Sequence, residues 1–543
     1  MNPTLITFRR CAVAFAIATL TACTSPHLPK VATAKSRLGS QAMLRNETLA
    51  DELKSLQAKP VASGSAETEK FIMELQRRVH IHDWKMPIRI EGESGLWELH
   101  FDDHPPTAQG RPEWSPSVFD RLIPASAFKL EGYDQIATGT GAGAPFVFAF
   151  ENIKELRAQR NFRPGNSAYA PGTIVLEFGK PQQAGYPTPV QCHMINTFQY
   201  RTLKLHGNTV QLAWNVTAAI ESNLGNNYIQ TNGLIGLLHP DKRVKDVGVF
   251  GISPYDPKKT PVIFVHGLDS SPAIWKNIVN EIYNSPDLNQ RYQPLLFMYP
   301  TGLSVPASAA KMRLSIQQFR NKWDPDHNDL GFHKIVLVGH SMGGLLSRMQ
   351  VIDSGDDLRK AFFAKPIAEI PWISAAERKK MDAGLNFKAS PEVTRVVFVA
   401  VPHRGSKIAD NSIVRLFVRL ISLPTQAANL VKTALIEDQS LLNPALLNYH
   451  SLGMTSVDML SPGHPFFAAI DRRPIKVPYH SIIGDRGKGI GNKSSDGAVP
   501  YWSSHVDRAE SELIVPYAHS CTDKTEVVQE ILRILRAHGK GDS

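Results

Sequence analysis

From residue 260 onward, short unbroken aliphatic runs alternate with longer stretches of helical spacing. The runs are PVIFVHG (261–267), PLLFMYP (294–300), KIVLVG (334–339), RVVFVAVP (395–402), YHSIIG (479–484) and ELIVP (512–516). A strand covered on both faces has no polar face to show, so such runs predict parallel strands lying between helices. Helices are expected over 273–283, 307–323, 343–353 and 524–537. This rhythm predicts an α/β fold with a doubly wound, mostly parallel sheet. Two longer insertions, 354–391 and 406–478, interrupt it. The second carries NSIVRLFVRLISL (411–423), whose apolar residues recur at near-helical spacing and continue into AANLVKTALI, which predicts a helical cap or lid.

Upstream the period changes to two. WELHF (97–101), TIVLEF (173–178), RTLKL (201–205) and TVQLAWNV (209–216), with turn residues at Gly207-Asn208 and Gly225-Asn226-Asn227, predict a β-rich accessory domain over 69–250. Residues 23–68, rich in Ser, Ala, Pro and Lys around a helical patch at 46–57, are expected to be a tether, and 251–543 the main domain.

The first 22 residues follow another pattern. Arg9 and Arg10 precede the apolar stretch CAVAFAIATL (11–20), too short to cross a membrane and shaped like the apolar core of a secretory signal. It ends in Leu20-Thr21-Ala22-Cys23, which resembles the lipobox of bacterial lipoproteins. That resemblance implies cleavage before Cys23 and a lipid anchor on its thiol. Thr24, where an aspartate is absent, implies the outer membrane and a body facing the periplasm.

Composition changes little. The chain has 543 residues, 42% of them hydrophobic and 20% charged, ordinary values that exclude wholesale disorder and a polytopic membrane protein. Loss of two arginines with the signal takes the formal charge from +10 to +8. The basic residues are scattered, without the clustering that nucleic-acid binding requires. Of four cysteines, Cys192 and Cys521 remain beside the anchor, and sequence leaves their pairing open. His80, His82, Asp102, Asp103 and His104 carry ligand atoms but no metal-ligand spacing, and DPDHND (324–329) lacks the glycine and glutamate of a calcium loop. No metal or cofactor is implied.

The chemistry concentrates in KIVLVGHSMGG (334–344), where an aliphatic strand runs into a serine with a glycine two places away on each side. A strand turning at once into a helix forces its central residue into a strained conformation. Gly339 and Gly343 leave the room this requires, and the hydroxyl of Ser341 is lifted to the top of the sheet. A serine hydroxyl attacks carbonyls only when a base takes its proton and an acid holds the base. Acid candidates downstream are Asp485, Asp496 and Asp507. Base candidates are His505, His519 and His538.

VIFVHGLDSSPAIW, VGHSMGG, VAVPHRGS and SSDGAVPYWSSH together resemble the α/β-hydrolase fold. Within it they resemble the lipase and esterase group that includes triacylglycerol lipases and GPI-inositol deacylase-like proteins. The resemblance covers roughly residues 260–538. It implies Ser341 as nucleophile, Asp496 as the acid of its loop, and His519 after the last strand as the base. It also implies an oxyanion hole from the Leu268 and Met342 amides. His266, His340 and the turn His403-Arg404-Gly405 are then loop-shaping residues, His505 a structural hydrogen-bonding residue and His538 a solvent-facing residue at the last helix end. The implied activity is hydrolysis of lipid or other hydrophobic carboxylic esters, with the cap shielding the acyl chain. Acyl transfer on the same fold and a non-catalytic envelope-binding lipoprotein are the alternatives. The role of the accessory domain, and any protein partner it has, stay open.

Overall fold

The structure, a computed structural model, describes residues 28–34, 42–59, 65–101, 116, 118–151, 167–225, 237, 246–370, 373–406, 438–448, 459–487 and 494–538. The signal stretch, Cys23, Asp102, Asp103, His104 and the apolar run 411–423 lie outside these residues.

Two seven-stranded sheets organise the described residues. The N-terminal sheet contains strands β1 (Ala42–Arg45), β2 (Ile88–Gly92), β3 (Gly95–Phe101), β4 (Arg121–Pro124), β5 (Ala144–Glu151), β6 (Ser167–Phe178) and β7 (Thr188–Asn196), in the order β1-β2-β3-β7-β6-β5-β4. Helices α1 (Glu47–Gln57) and α2 (Ser65–Arg78) bury Leu49, Leu53, Phe71 and Leu75 against one face. Strand β5 explains how a sheet can be covered on both sides. Side chains alternate across a strand, so Phe146 and Phe148 join the helix-covered core while Val147 and Ala149 point into a second core shared with the C-terminal unit.

The expected tether 23–68 therefore needs correction. Met43 and its neighbours pair in parallel with β2, and Asn46 caps α1 by accepting the Leu49 amide at 2.9 Å, so 42–59 is part of the N-terminal domain. That short strand is hidden by polar, loop-like composition around it. Residues 28–34 are also fastened. Leu28 and Val31 pack against the shared core, and the Ala34 amide donates to the Gln76 carbonyl at 2.9 Å.

The C-terminal sheet contains β8 (Gly248–Gly251), β9 (Thr260–Val265), β10 (Tyr292–Met298), β11 (Ile335–His340), β12 (Val393–Val399), β13 (Tyr479–Gly484) and β14 (Ser511–Val515), in the order β8-β10-β9-β11-β12-β13-β14. All neighbours are parallel except β8 against β10. The six aliphatic runs fall on β9 to β14. Strand β8, the four residues GVFG, straddles the expected boundary at 250 and moves it a few residues upstream. Helix α3 (Thr217–Leu224), from the N-terminal unit, packs between β6 and α4 (Lys276–Asn284); α4, α5 (Val305–Trp323), α6 (Met342–Arg348) and α8 (Thr525–His538) lie on the C-terminal sheet, while α7 (Pro465–Asp471) packs on a short helix over Asp357–Phe362. The helix expected over 343–353 ends at Arg348, because the Gln350 and Val351 amides bond three residues back, to Ser347 and Arg348, at 3.0 Å each. In the first insertion a helix over Ala375–Leu385 packs on α5, and in the second α7 buries Phe466 and Phe467.

Cys192 and Cys521 are buried and do not pair with each other, one lying in the N-terminal core and the other in the shared core. No helix of the described residues is long and apolar enough to cross a membrane.

Candidate active site

Ser341 joins β11 to α6 with φ 53° and ψ −126°, a region that non-glycine residues avoid at a cost of about 1–3 kcal/mol. Its surroundings explain the glycines. A Cβ on Gly339 would lie 2.6 Å from the Gly344 Cα, and one on Gly343 would lie 2.4 Å from the His266 carbonyl oxygen. Gly344 leaves room for Val401, whose Cγ2 would be 2.0 Å from an added Cβ. The hydroxyl of Ser341 thus stands at the C-terminal edge of the central strand. The edge antiparallel strand, the parallel order and this strained strand-to-helix turn decide the architecture. This is the α/β-hydrolase fold.

Three side chains, 23 to 178 residues apart, meet there. Ser341 Oγ lies 2.9 Å from His519 Nε2, and His519 Nδ1 lies 2.7 Å from Asp496 Oδ2. The imidazole can therefore accept the serine proton on Nε2 while its Nδ1–H donates to the carboxylate. Asp496 is buried, and its Oδ1 accepts the Ala498 and Val499 amides at 2.8 and 2.6 Å. The last residue of β13, Gly484, permits this approach, since a Cβ there would come within 2.8 Å of the Asp496 Cβ.

The remaining candidates lie elsewhere. Asp485 is a turn residue whose Oδ1 accepts the Gly487 amide at 2.9 Å. His505 is tied at the surface to Glu512 at 2.6 Å and to Asp507 at 3.2 Å. His538, expected to face solvent, is instead half-buried and bonded to the Tyr292 hydroxyl at 3.1 Å and to Thr394 Oγ1 at 3.2 Å. Arg404 spans the Trp502 and His505 carbonyls at 2.9 and 2.8 Å, and His403 lies 3.2 Å from buried Arg348.

Leu268 follows β9 in a turn beside Ser341. A Cβ on Gly267 would be 2.9 Å from the Ser341 Cβ, so the two segments touch through glycine. Neither the Leu268 nor the Met342 amide is engaged by a described residue. The loop is held from β10: the Tyr299 hydroxyl donates to the His266 carbonyl at 2.8 Å, and Thr301 Oγ1 receives the Asp269 amide at 3.3 Å. These two supports are not visible in the sequence, because they come from the neighbouring strand end and match no motif.

Two buried histidines flank the relay. His340 Nε2–H donates to the His519 carbonyl at 2.9 Å, leaving its Nδ1 without a partner among the described residues. Burial, and next the charge His519 can carry, push His340 down to about 3. His266 is pushed down to about 4 by burial, against a weaker opposing bond to the Gly267 carbonyl. Both are neutral at ordinary pH, and their task is to hold backbone. Among the described residues no three His, Cys, Asp or Glu side chains converge as a metal site would require.

No protein-family model matches the chain, and no curated protein does. Solved structures similar to it include lipase BlEst2 of Bacillus licheniformis in mature form, at 18% identity over 53% of this chain and 97% of that one, TM-score 0.31. Others are the Staphylococcus hyicus lipase, at 13% identity over 54% and 99% of the two chains, TM-score 0.31, and esterase B from Lactobacillus rhamnosis, at 14% identity over 54% and 79%, TM-score 0.31. The strand order and the distances around Ser341 describe the fold and the site independently of these likenesses.

Proposed function

We propose that the protein is a serine hydrolase of carboxylic esters, acting on lipid or other hydrophobic acyl esters through an acyl-enzyme on Ser341. The observation that carries this reading is the hydrogen-bonded relay from Ser341 through His519 to Asp496, 2.9 and 2.7 Å, raised on a strained turn beside two unengaged amides. His519 Nε2 takes the Ser341 proton as Oγ attacks the ester carbonyl carbon. The oxygen that gains charge lies between the Leu268 and Met342 N–H groups, fixed dipoles that need no reorganisation. His519 then gives its proton to the departing alkoxide. Water, deprotonated by the same imidazole, attacks the acyl-enzyme carbonyl carbon, the bond to Ser341 Oγ breaks, and His519 returns the proton to Oγ as the carboxylic acid leaves. Asp496 Oδ2 accepts the Nδ1–H throughout and so holds that tautomer. The apolar second insertion motivates the preference for hydrophobic acyl chains. The lipobox-like segment at Cys23 motivates a lipid-anchored place in the cell envelope.

The test is hydrolysis of nitrophenyl esters from acetate to palmitate by the chain from residue 24 and its Ser341→Ala and Asp496→Asn variants. Both variants are expected to lose about a thousandfold or more in kcat while remaining folded. The favoured acyl length distinguishes an esterase from a lipase. A folded parent that cleaves no ester and takes no fluorophosphonate on Ser341 overturns the proposal.

A further inference from the structure

Helix α4 begins where the Leu268 loop ends, and one face of it reads the backbone of the N-terminal domain. Lys276, Asn280 and Asn284, spaced four apart, donate to the Glu131 carbonyl at 2.9 Å, the Gln135 carbonyl at 2.8 Å and Gln135 Oε1 at 3.0 Å. Asn277, one residue along and 1% exposed, does something different. Its Oδ1 accepts the Asp134 amide at 3.0 Å, and its Nδ2 donates to the Asp523 carbonyl at 3.2 Å. Asp134 belongs to the N-terminal domain. Asp523 lies four residues after His519, in a loop closed by bonds from the Cys521 amide to the His519 carbonyl and from the Lys524 amide to the Cys521 carbonyl, 3.1 Å each. The carboxamide of Asn277 supplies an acceptor on one side and a donor on the other at one fixed span, whereas an aspartate there offers only acceptors and an alanine neither.

We infer that Asn277 is a positioning residue through which the N-terminal domain holds the His519 loop in register with Ser341. The domain is then a working part of the site, although none of its side chains reaches the reacting atoms. The inference rests on the proposed hydrolase reading for its consequence in activity, and on geometry alone for the positioning.

The experiment compares the full chain with Asn277→Ala, Asn277→Asp and Asn280→Ala. Asn280→Ala gives up bonds to the same domain, including the one from Thr217 Oγ1 at 2.6 Å, but none to the His519 loop. Asn277→Asp keeps the acceptor for Asp134 and loses the donor for Asp523. Three readouts are taken: the rate of fluorophosphonate labelling at Ser341, kcat and KM separately, and hydrogen exchange at the Cys521 and Lys524 amides. Both Asn277 variants are expected to slow labelling and kcat about tenfold or more, with KM nearly unchanged. They should also speed exchange at the two amides, while Asn280→Ala does neither even where its thermal midpoint falls equally. Equal effects of Asn277→Ala and Asn280→Ala overturn the inference, as does unchanged exchange in Asn277→Ala. If the parent takes no label but exchange follows the expected pattern, the hydrolase reading fails and the positioning role stands.

Discussion

Ser341 stores strain, and its neighbours have been pared down to permit it. Gly339, Gly343 and Gly344 each replace a Cβ that would meet backbone or a stiff β-branched side chain at 2.7 Å or less. This much is legible from the glycine spacing taken together with its place between an aliphatic strand and a helix, since the spacing by itself recurs by chance. The choice of Asp496 and His519 from six candidates rests on resemblance, and the fold brings these two to Ser341 while leaving Asp485 in a turn, His505 and Asp507 at the surface and His538 half-buried at the end of α8. The support is what the sequence hides: Tyr299, Thr301 and the ring of His340 act across strand ends that no local pattern connects. The buried histidines carry a cost that pH exposes. The unfolded chain protonates His266 and His340 near 6.5, whereas the folded protein does so only at about 4 and about 3. The unfolded state thus binds more protons in between, and stability present above pH 6.5 is lost as pH falls. From pH 7 to 5 the loss is about 2 kcal/mol per histidine as an order of magnitude. Urea midpoints measured at both pH values should show it. His340→Gln, which keeps a donor for the His519 carbonyl, should flatten the slope by about one proton; an unchanged slope would assign the acid sensitivity elsewhere.

Elements are most legible where burial is two-sided. The runs of β9 to β14 stand out because a parallel strand between helices has no polar face. Strand β1 escapes notice because four residues at a sheet edge carry little pattern, and β8 because its two glycines look like a loop. Helix α4 follows from the spacing, but its partner does not, since an Asn-rich face reads as solvent-facing. The carboxylate that its lysine meets is nevertheless buried. Glu221 is 4% exposed and takes Lys276 Nζ at 3.1 Å and the Tyr133 hydroxyl at 2.7 Å on the same oxygen. Lys276→Met would leave that carboxylate without its cation and should cost on the order of 3 kcal/mol, less what the half-exposed lysine already loses to water. Adding Glu221→Gln should recover part of it. A double-mutant cycle by chemical denaturation measures the coupling, and purely additive effects would mean the pair contributes nothing beyond packing.

At the scale of the whole molecule the two sheets share one core. Ile123, Val147, Tyr169 and Ile220 from the N-terminal unit lie in the same cluster as Phe264, Trp275, Ile278 and Ile531 from the C-terminal unit. Domains joined by a small polar interface unfold separately, whereas units with a common core lose it together. Calorimetry should give a single transition with equal calorimetric and van't Hoff enthalpies. Two resolved transitions would mean that the shared cluster is weaker than its burial implies.

The fastened segment 28–34 bears on where the protein works. Only residues 24–27 separate Leu28 from Cys23, and five Cα steps span about 18 Å at full stretch. With the proposed lipid on Cys23, such a leash is shorter than the body it holds. The protein would graze along the bilayer like a barnacle on a hull, meeting esters that partition into that thin layer and passing over those dissolved in bulk. Its encounters would then be counted per unit of area, and the supply of substrate would follow lipid packing more than concentration in solution.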